Sequence, residues 1–348
     1  EELRRVHARD SLAFGGMRVV VADPPAFTPP YDHELCAALA AAGAEVELLT
    51  SRFRFGVAPA PAGYRRSEPF YPLSSRLFRR SRLRLPLKAL EHPFGMARLA
   101  LARAHVVHVQ WLGLPEADRL LLRQRAPLVF TAHDLLPRRT ASRTRLWRRL
   151  FDRFERIVVH SERGRDALAA FGVPEERLRV IPHPVSPSDP ERTDDGRTVL
   201  ALGLVRPYKQ LDHARAAAER AGATLRVAGD ATAFLPEEEI DRALGASTVA
   251  VFPYRPELDQ SGALLRALGA GVPAVVYDVG GLAEPVLAFG AGRVVAPDDV
   301  DALAGAVREL LEDPAALEAA RAGARRAREE LTWEASAAAH LVLYRELA

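Results

Sequence analysis

The sequence predicts an α/β protein with two domains, each built on a doubly wound parallel sheet. Its 348 residues are too many for one compact core. Short apolar runs with the character of buried strands alternate with segments of helical periodicity, as in α/β folds. The alternation stops at residues 186–197, which are polar and contain prolines, and then starts again. Residues 186–197 therefore read as a linker between two similar domains.

The first half begins its alternation at Met17. Residues 1–16 precede Met17 and are interpreted as an N-terminal extension. A signal peptide is not expected there, because no apolar core follows the basic residues. The first loop, PPAFTPPY, lacks the G-x-G-x-x-G pattern, so a dinucleotide-binding dehydrogenase is disfavoured. The predicted strands of this half are MRVVVAD, AEVELLT, HVVHVQW, PLVFTAHD, IVVHS and LRVIPH.

The second half repeats the pattern from TVLALG, and its most informative part runs from Val249 to Glu284. An apolar strand ends at Phe252, a polar loop follows, and leucines at helical spacing lead to a second apolar strand. Such a loop brings backbone N–H groups to a helix N-terminus, where the helix dipole favours an anion. The sequence therefore predicts an anion site here. From Val300 onward the pattern is helical, with a break near Trp333.

Composition limits the classes of partner. No apolar run is long enough to span a bilayer. The single cysteine, Cys36, cannot form an internal disulfide, so a reducing, cytoplasmic compartment is expected. Residues 51–150 hold 21 Lys and Arg against 5 Asp and Glu, whereas residues from 191 onward hold 17 against 25. The basic half predicts an anionic partner, although the same bias is typical of GC-rich genomes.

Two basic segments also contain large apolar residues: Phe and Leu in residues 76–104, and Trp, Phe and Leu in residues 143–156. They are candidates for peripheral contact with an anionic membrane at its inner face, and the second is equally typical of an ordinary packed helix. Nucleic acid is not predicted as a partner, because no recognition motif accompanies the charge. No zinc-ligand spacing, P-loop or nucleophile elbow occurs, so neither a metal nor a nucleophilic serine site is predicted.

Several motifs in order resemble the large retaining family four of the glycosyltransferases, over about residues 17–346. The resemblance implies the GT-B fold, in which two Rossmann-like domains face a cleft. It places an acceptor-side domain at 17–187, a shortened nucleotide-sugar domain at 197–332, and a helix at 333–348 that crosses back to the first domain. The motifs are PLVFTAHD, IVVHSERGRDAL, VIPHPV, GLVRPYK, FPYRPELDQSG and GVPAVVYDVGGLAE.

The resemblance also implies the donor-binding residues. Arg206 and Lys209 match the basic pair that holds the donor diphosphate, whose growing negative charge must be neutralised as it leaves. Gln260, Ser261 and Gly262 replace a glycine-rich loop whose amides contact phosphate, and Ser261 alone would also be an ordinary helix cap. Glu284, which closes the last motif, is grouped with these donor-binding residues. The expected donor is a UDP- or GDP-sugar, with no further cofactor.

The residues around the reacting sugar follow from the same resemblance. His133 ends a strand at the position of a histidine that contacts the donor sugar or orients the acceptor, and Asp134 is a candidate to orient His133 or cap the next segment. Glu257 matches an acidic residue that touches the sugar hydroxyls. Residues 31–33 lie where the acceptor would be met. The acceptor candidates there are Tyr31, Asp32 and His33.

Two departures from the family pattern keep an alternative open. Arg266 stands where relatives place a glutamate that binds the nucleotide ribose, and guanidinium can only donate hydrogen bonds. The stretch between LRVAGD and PEEEIDRAL is also short. The first hypothesis is a retaining glycosyltransferase acting on a glycan, lipid-linked or small-molecule acceptor. The alternatives are a catalytically impaired GT-B scaffold that serves in binding or assembly, and a GT-B epimerase, whose acid and base carboxylates have no clear counterpart.

Overall fold

The computed structural model describes residues 16–77, 81–137, 140–230, 235–256 and 260–348, and the chain forms two compact units. The described part of the first unit comprises residues up to Val159, Arg165–Ile181 and Trp333–Ala348. The second unit comprises His160–Gly164 and Pro182–Thr332. Of the predicted extension, residues 1–16, only Gly16 lies within the described residues.

The first unit contains a seven-stranded parallel sheet. Its strands are β1 (Arg18–Asp23), β2 (Glu45–Ser51), β3 (Arg65–Phe70), β4 (Val106–Val109), β5 (Leu128–Thr131), β6 (Arg156–Val159) and β7 (Leu178–Val180). Their order is β3-β2-β1-β4-β5-β6-β7, which reverses between β1 and β4. Ligands of doubly wound sheets bind at the carboxyl ends of strands beside such a reversal.

Helices alternate with these strands and cover both faces of the sheet. They are α1 (Pro29–Ala41), α2 (Arg84–Ala100), α3 (Pro115–Leu121), α4 (Thr144–Phe151) and α5 (Glu162–Phe171). The interior strands β4 and β5 are buried at every position, which explains why their sequences are continuous apolar runs.

The second unit contains a five-stranded parallel sheet in the order β12-β11-β10-β8-β9, so the reversal lies between β8 and β10. The strands are β8 (Thr198–Leu202), β9 (Thr224–Ala228), β10 (Val249–Phe252), β11 (Ala274–Tyr277) and β12 (Gly292–Val295). The helices are α6 (Leu211–Arg220), α7 (Glu237–Gly245), α8 (Gly262–Gly269), α9 (Ala283–Phe289), α10 (Val300–Glu312) and α11 (Pro314–Glu330). Two doubly wound parallel sheets were predicted, and the structure confirms them.

The last helix, α12 (Trp333–Arg345), belongs to the first unit. Its buried side chains share a hydrophobic cluster with residues of α1 and β1. The hydroxyl of Tyr344 lies 2.6 Å from Nδ1 of His108 on β4, within hydrogen-bond distance, and both side chains are fully buried. Nε2 of His108 lies 2.7 Å from the hydroxyl of Thr131 on β5. His108 therefore ties α12 to the centre of the first sheet.

The membrane hypothesis for residues 143–156 is wrong for the apolar side chains of that segment. Trp147, Leu150, Phe151 and Phe154 are all buried in the core of the first unit, at 0–3% exposure. Because they have no surface left for lipid, the segment is the packed helix α4 and the turn that follows it. The arginines between them face solvent, as expected for the outer side of an amphipathic helix.

We predict that Tyr344→Phe destabilises the first unit through the loss of one buried hydrogen bond. The hydrogen bond between the Tyr344 hydroxyl and Nδ1 of His108 would be lost inside the core, which costs about 1–3 kcal/mol in the free energy of unfolding. Urea denaturation followed by circular dichroism measures the loss. Val342→Ala, at a position 54% exposed on the same helix, is the control and should change stability by less than about 0.5 kcal/mol. Equal effects of the two substitutions would contradict the prediction.

Candidate functional site

The loop after β8 carries two cations at the carboxyl edge of the second sheet. Arg206 precedes a short 3-10 turn, Pro207–Lys209, whose last residue is only 6% exposed. Nζ of Lys209 donates to the carbonyl oxygen of Leu202 at 2.7 Å. Burial first, and the charge of Arg206 second, lower the pKa of Lys209 to about 7. An anion bound at this edge would favour the charged form of the amine.

Glycines make room for this buried lysine. Gly203 has a φ of +91°, and a Cβ at that position would lie 2.8 Å from Nζ of Lys209. Gly229, which follows β9, approaches the same place so closely that a Cβ on it would lie 2.1 Å from the carbonyl oxygen of Gly203. The ends of β8 and β9 can therefore meet around Lys209 only because neither position carries a side chain.

The N-terminus of α8 lies beside the loop after β10, and Ser261 is its cap. Oγ of Ser261 accepts a hydrogen bond from the backbone N–H of Leu264 at 3.3 Å, and the residue is only 6% exposed. The structure thus shows the capping role of Ser261, which needs no ligand, whereas a phosphate contact by its hydroxyl stays a prediction. Gly262 is exposed, and outside its own helix and chain neighbours no heavy atom of the described residues lies within 4 Å of a Cβ placed on it. The start of α8 therefore has room at Gly262.

Tyr254 connects these two loops. The residue is 2% exposed, and the centroid of its ring lies 5.3 Å from Nζ of Lys209. Its hydroxyl oxygen lies 3.5 Å from Oγ of Ser261. The backbone N–H of Arg255 donates to the carbonyl oxygen of Tyr208 at 2.9 Å. The structure therefore brings the basic turn and the start of α8 together, on neighbouring strands of the second sheet.

Gln260 and Glu284 make hydrogen bonds that hold loops in place. Nε2 of Gln260 donates to the carbonyl oxygen of Gly281 at 3.1 Å. The two carboxylate oxygens of Glu284 accept the backbone N–H groups of Glu162 and Arg163, each at 2.9 Å. A carboxylate at the N-terminus of α5 is stabilised by the helix dipole. Glu284 is therefore a helix cap in this structure, and a contact between Glu284 and a nucleotide stays a prediction.

Arg266 forms two hydrogen bonds with the carboxylate of Glu237, the first residue of α7. Burial lowers the pKa of Arg266. The carboxylate that the family pattern places at position 266 is thus absent there, but another helix supplies one in direct contact with Arg266. Glu257 lies outside the described residues, so its predicted contact with the donor sugar has no position in the structure.

At the carboxyl edge of the first sheet, His133 is held in one orientation by three neighbours. Its Nε2–H donates to Oε1 of Gln110 at 2.8 Å. The indole of Trp111 stacks on its ring, with centroids 5.1 Å apart and planes 13° apart, and Tyr31 meets the ring edge-on at 4.7 Å. Asp134, the predicted orienting residue, is half-buried next to it. The hydrogen bond to Gln110 and the stacking on Trp111 together fix the orientation of the imidazole.

The predicted acceptor residues do not form one surface. Tyr31 and Asp32 are 6% and 1% exposed, so neither is placed to touch a molecule arriving from solvent. Burial raises the pKa of Asp32 well above its ordinary value, and the charge of Asp23 raises it further, so burial beside Asp23 favours the neutral form of this carboxyl. Nδ1 of His33 lies 3.0 Å from the hydroxyl of Tyr64. These helix α1 residues therefore pack and position the first unit.

Three residues that shape these edges were not singled out from the sequence. Gln110 and Trp111 directly follow β4, and Tyr254 follows β10 by one residue. The rule that ligands gather at the carboxyl ends of parallel strands was sufficient to find them. Trp111 is held by a hydrogen bond from its Nε1 to Oγ1 of Thr28 at 2.8 Å and by the edge of Phe27, which is 46% exposed. The first unit thus presents a fixed, partly exposed aromatic surface next to His133.

Neither a metal cluster nor a membrane-spanning helix is found in the part of the chain that the structure describes. No three His, Cys, Asp or Glu side chains are grouped there so that they could hold a metal ion. No helix there is both long and apolar enough to cross a bilayer.

The chain contains two lysines, Lys88 and Lys209, which makes the charge state of the buried amine measurable. With 13C-labelled lysine, the Cε signal of Lys209 should titrate with a midpoint of about 7, well below the ordinary 10.5, because burial and Arg206 disfavour its charge. The Lys209→Arg variant assigns the signal by removing it. A midpoint near 10.5 would contradict the prediction.

The lowered pKa of Lys209 also makes the free energy of unfolding depend on pH. Between pH values of about 7 and 10.5 the unfolded chain binds the proton of Lys209 more tightly than the folded chain does. The contribution of Lys209 to the free energy of unfolding therefore rises with pH through this window. The difference in melting temperature, Lys209→Met minus wild type at the same pH, should be most positive below about pH 7. It should fall as the pH rises from about 7 to 10.5.

Two family models match consecutive parts of the chain. The model described as Glycosyltransferase Family 4 matches residues 31–189, and the model described as Glycosyl transferases group 1 matches residues 198–313. Among curated proteins, a glycogen synthase of Mycobacterium tuberculosis is 42% identical over 81 residues, 23% of this chain and 20% of that protein. The 2-deoxystreptamine glucosyltransferase of Streptomyces kanamyceticus is 35% identical over 125 residues, 36% of this chain and 31% of that protein. The matched part therefore spans a fifth to a third of these relatives.

Solved structures share the fold over nearly the whole chain. Sucrose-phosphate synthase from Thermosynechococcus elongatus superposes with a TM-score of 0.70 at 20% identity, covering 95% of this chain and 99% of that chain. HepE from Anabaena, in complex with UDP-glucose, gives 0.68 at 14% identity with the same coverage. At these identities the likeness shows the fold, which is GT-B. With both sheets in place and the two family models matched in sequence order, the chain belongs to family four of the glycosyltransferases, the group 1 glycosyl transferases.

Proposed function

We propose that this protein transfers a sugar from a nucleotide-sugar donor to an acceptor hydroxyl, with retention of configuration. The observation that carries the proposal is the arrangement around Tyr254. Buried Lys209, with Arg206 three residues before it, lies over the ring, and the capped start of α8 at Ser261 lies at the ring hydroxyl. Two basic side chains and a helix N-terminus at a strand-order reversal suit a diphosphate.

The diphosphate is the group whose charge changes most during such a reaction. The bond between the anomeric carbon and the diphosphate oxygen breaks, and its electron pair leaves with the diphosphate. The acceptor oxygen bonds to the same face of the anomeric carbon, and its proton passes to the departing phosphate oxygen. Arg206 and Lys209 would stabilise this charge as it develops, each by roughly 4 kcal/mol before desolvation if it lies within about 4 Å.

On the first unit, we assign the acceptor side to the edge that carries His133. Gln110 and Trp111 hold its imidazole rigidly, which is what a residue that positions a sugar hydroxyl requires. The partly exposed surface of Phe27 and Trp111 gives a sugar ring or another flat apolar face a place to stack. A glycan or a lipid-linked sugar fits this surface better than a small polar acceptor does.

The relatives support a transferase and guide the choice of donor. Glycogen synthase and 2-deoxystreptamine glucosyltransferase are named for glycosyl transfer, and HepE was crystallised with UDP-glucose. UDP-sugars are therefore the first donors to test, and GDP-sugars are the second. The contact of Glu237 with Arg266 keeps a carboxylate at the edge of the proposed nucleotide site, which favours turnover over an impaired scaffold.

We predict that Lys209→Met weakens UDP binding about tenfold or more at pH 7, since one buried cation is lost from the diphosphate. Isothermal titration calorimetry measures the affinity, and Lys88→Met, a substitution of the other lysine, should bind UDP like the wild type. Transfer from UDP-glucose is followed by UDP release, and proton NMR of the product reports the configuration of the new linkage. A wild-type protein that binds neither UDP nor GDP would refute the proposal. UDP binding without turnover would favour the scaffold.

We predict that Gly262→Ala weakens UDP binding without lowering the stability of the free protein. Because the first turn of α8 is open at Gly262, a methyl group fits the free protein and should leave its melting temperature unchanged or slightly raised. The same methyl would occupy the approach to the helix amides, so UDP binding should weaken by about tenfold. Gly305→Ala, in the equally open interior of α10, is the matched control and should leave UDP binding unchanged. Unchanged UDP affinity in Gly262→Ala would remove α8 from the diphosphate site.

A further inference from the structure

Helix α2 of the first unit carries a row of exposed apolar side chains that its packing leaves uncovered. Leu83, Leu90, Phe94 and Leu101 are 70%, 70%, 78% and 77% exposed. Their separations of seven, four and seven residues place all four on one side of the helix. Leu83 and Leu101 are the residues that flank the helix, and both have right-handed helical backbone angles. We call these four residues the α2 stripe.

The stripe belongs to a helix that is firmly anchored on its other side. His92, Met96 and Leu99 are buried, at 0–3% exposure. Nε2 of His92 lies 2.6 Å from a carboxylate oxygen of Asp118 on α3, and its Nδ1 lies 2.7 Å from the hydroxyl of Tyr71. The exposure of the stripe is therefore a property of a fixed helix face, since the opposite face is locked into the core.

Exposed positive charge lies near both ends of the stripe. From residue 76 to residue 115 the sequence contains one acidic residue, Glu91. Glu91 is buried at 9% exposure, where its carboxylate accepts the backbone N–H groups of Leu73 and Ser74. Carboxylates of other elements also reach the helix: Asp118 on α3 contacts buried His92 on the opposite face, and Glu47 on β2 is 3.7 Å from Arg98 and also pairs with Arg65. The exposed cations on and beside the helix are Arg82, Arg98 and Arg103.

We propose that the α2 stripe docks on an anionic lipid bilayer, with the helix lying in the plane of the membrane surface. Leucine and phenylalanine would enter the boundary between headgroups and acyl chains, while Arg82, Arg98 and Arg103 meet the lipid phosphates. With 17 residues, α2 is about 25 Å long, enough for a flat contact along several lipids.

The charge pattern selects a membrane over another protein. Two copies of this chain that met through the α2 stripe would bring their exposed arginines together, and like charges facing each other across an interface oppose association. A lipid bilayer offers both an apolar layer for the α2 stripe and phosphates for the arginines beside it. The proposal is independent of the donor site on the second unit, so it stands or falls separately from the proposed transfer reaction.

Vesicle sedimentation with the full chain tests the proposal. The wild type should bind vesicles of equal parts phosphatidylcholine and phosphatidylglycerol, bind pure phosphatidylcholine far less, and lose most of its binding in 0.5 M salt. The double substitution Leu90→Gln with Phe94→Gln should lower the partition coefficient at least tenfold. Leu287→Gln is the matched control, because Leu287 is 63% exposed on the second unit, and it should bind like the wild type.

Failure of the wild type to bind the anionic vesicles, or equal binding by the double variant, would overturn the proposal. Light scattering after gel filtration tests whether a second copy of the chain covers the stripe instead. If the wild type were a dimer and the double variant a monomer, with equal vesicle binding, the stripe would be a self-association surface. Phe94→Trp guards against a folding defect, since a tryptophan at a 78% exposed position needs no repacking. Its emission should shift to the blue with anionic vesicles, and that of Leu287→Trp should not.

Discussion

The proposed ligand edge of the second unit depends on the burial of one amine, Lys209. The Leu202 carbonyl, the ring of Tyr254 and the bare backbone of Gly203 lie close around it. Burying a charge is unfavourable, and the lowered pKa expresses that cost. A bound diphosphate would supply an opposite charge. A bound anion would therefore offset the cost of the buried charge. Because Tyr254 contacts both Lys209 and Ser261, this part of the site adjoins the start of α8.

The fold was predictable because both sheets are parallel and buried on two faces. Their strands read as continuous apolar runs, such as those of β5 and β10, and the helices between them are periodic. The place of residues 143–156 was not predictable in the same way. An amphipathic helix has the same pattern whether its apolar side meets a core or a membrane, and only tertiary contacts show that Trp147 is buried. Phe94 is the opposite case: it is 78% exposed, although its local sequence does not distinguish it from a core residue.

The candidate site was predictable where chain order determines position. Arg206, Lys209 and Gly262 follow strands whose carboxyl ends must share one edge, so their proximity follows from topology. Hydrogen-bond partners were not predictable, because they come from elements distant in sequence. The carboxylate of Glu284 serves the amides of Glu162 and Arg163, more than a hundred residues earlier. The burial of Asp32 was not predictable for a different reason: its neighbour Asp23 is close in sequence, but the cover over both carboxyls comes from tertiary packing.

The return of α12 to the first unit has a consequence for synthesis on the ribosome. Trp333, Leu341 and Tyr344 complete a hydrophobic cluster that also contains Tyr31 and Leu35. About 150 residues of the second unit are translated between Ile181 and Trp333, which at about 5–20 residues per second takes roughly 8–30 s. During that time one face of the nascent first sheet lacks its final cover. The second unit can therefore finish folding first, although its sequence comes later, and the exposed face is where a chaperone would be needed.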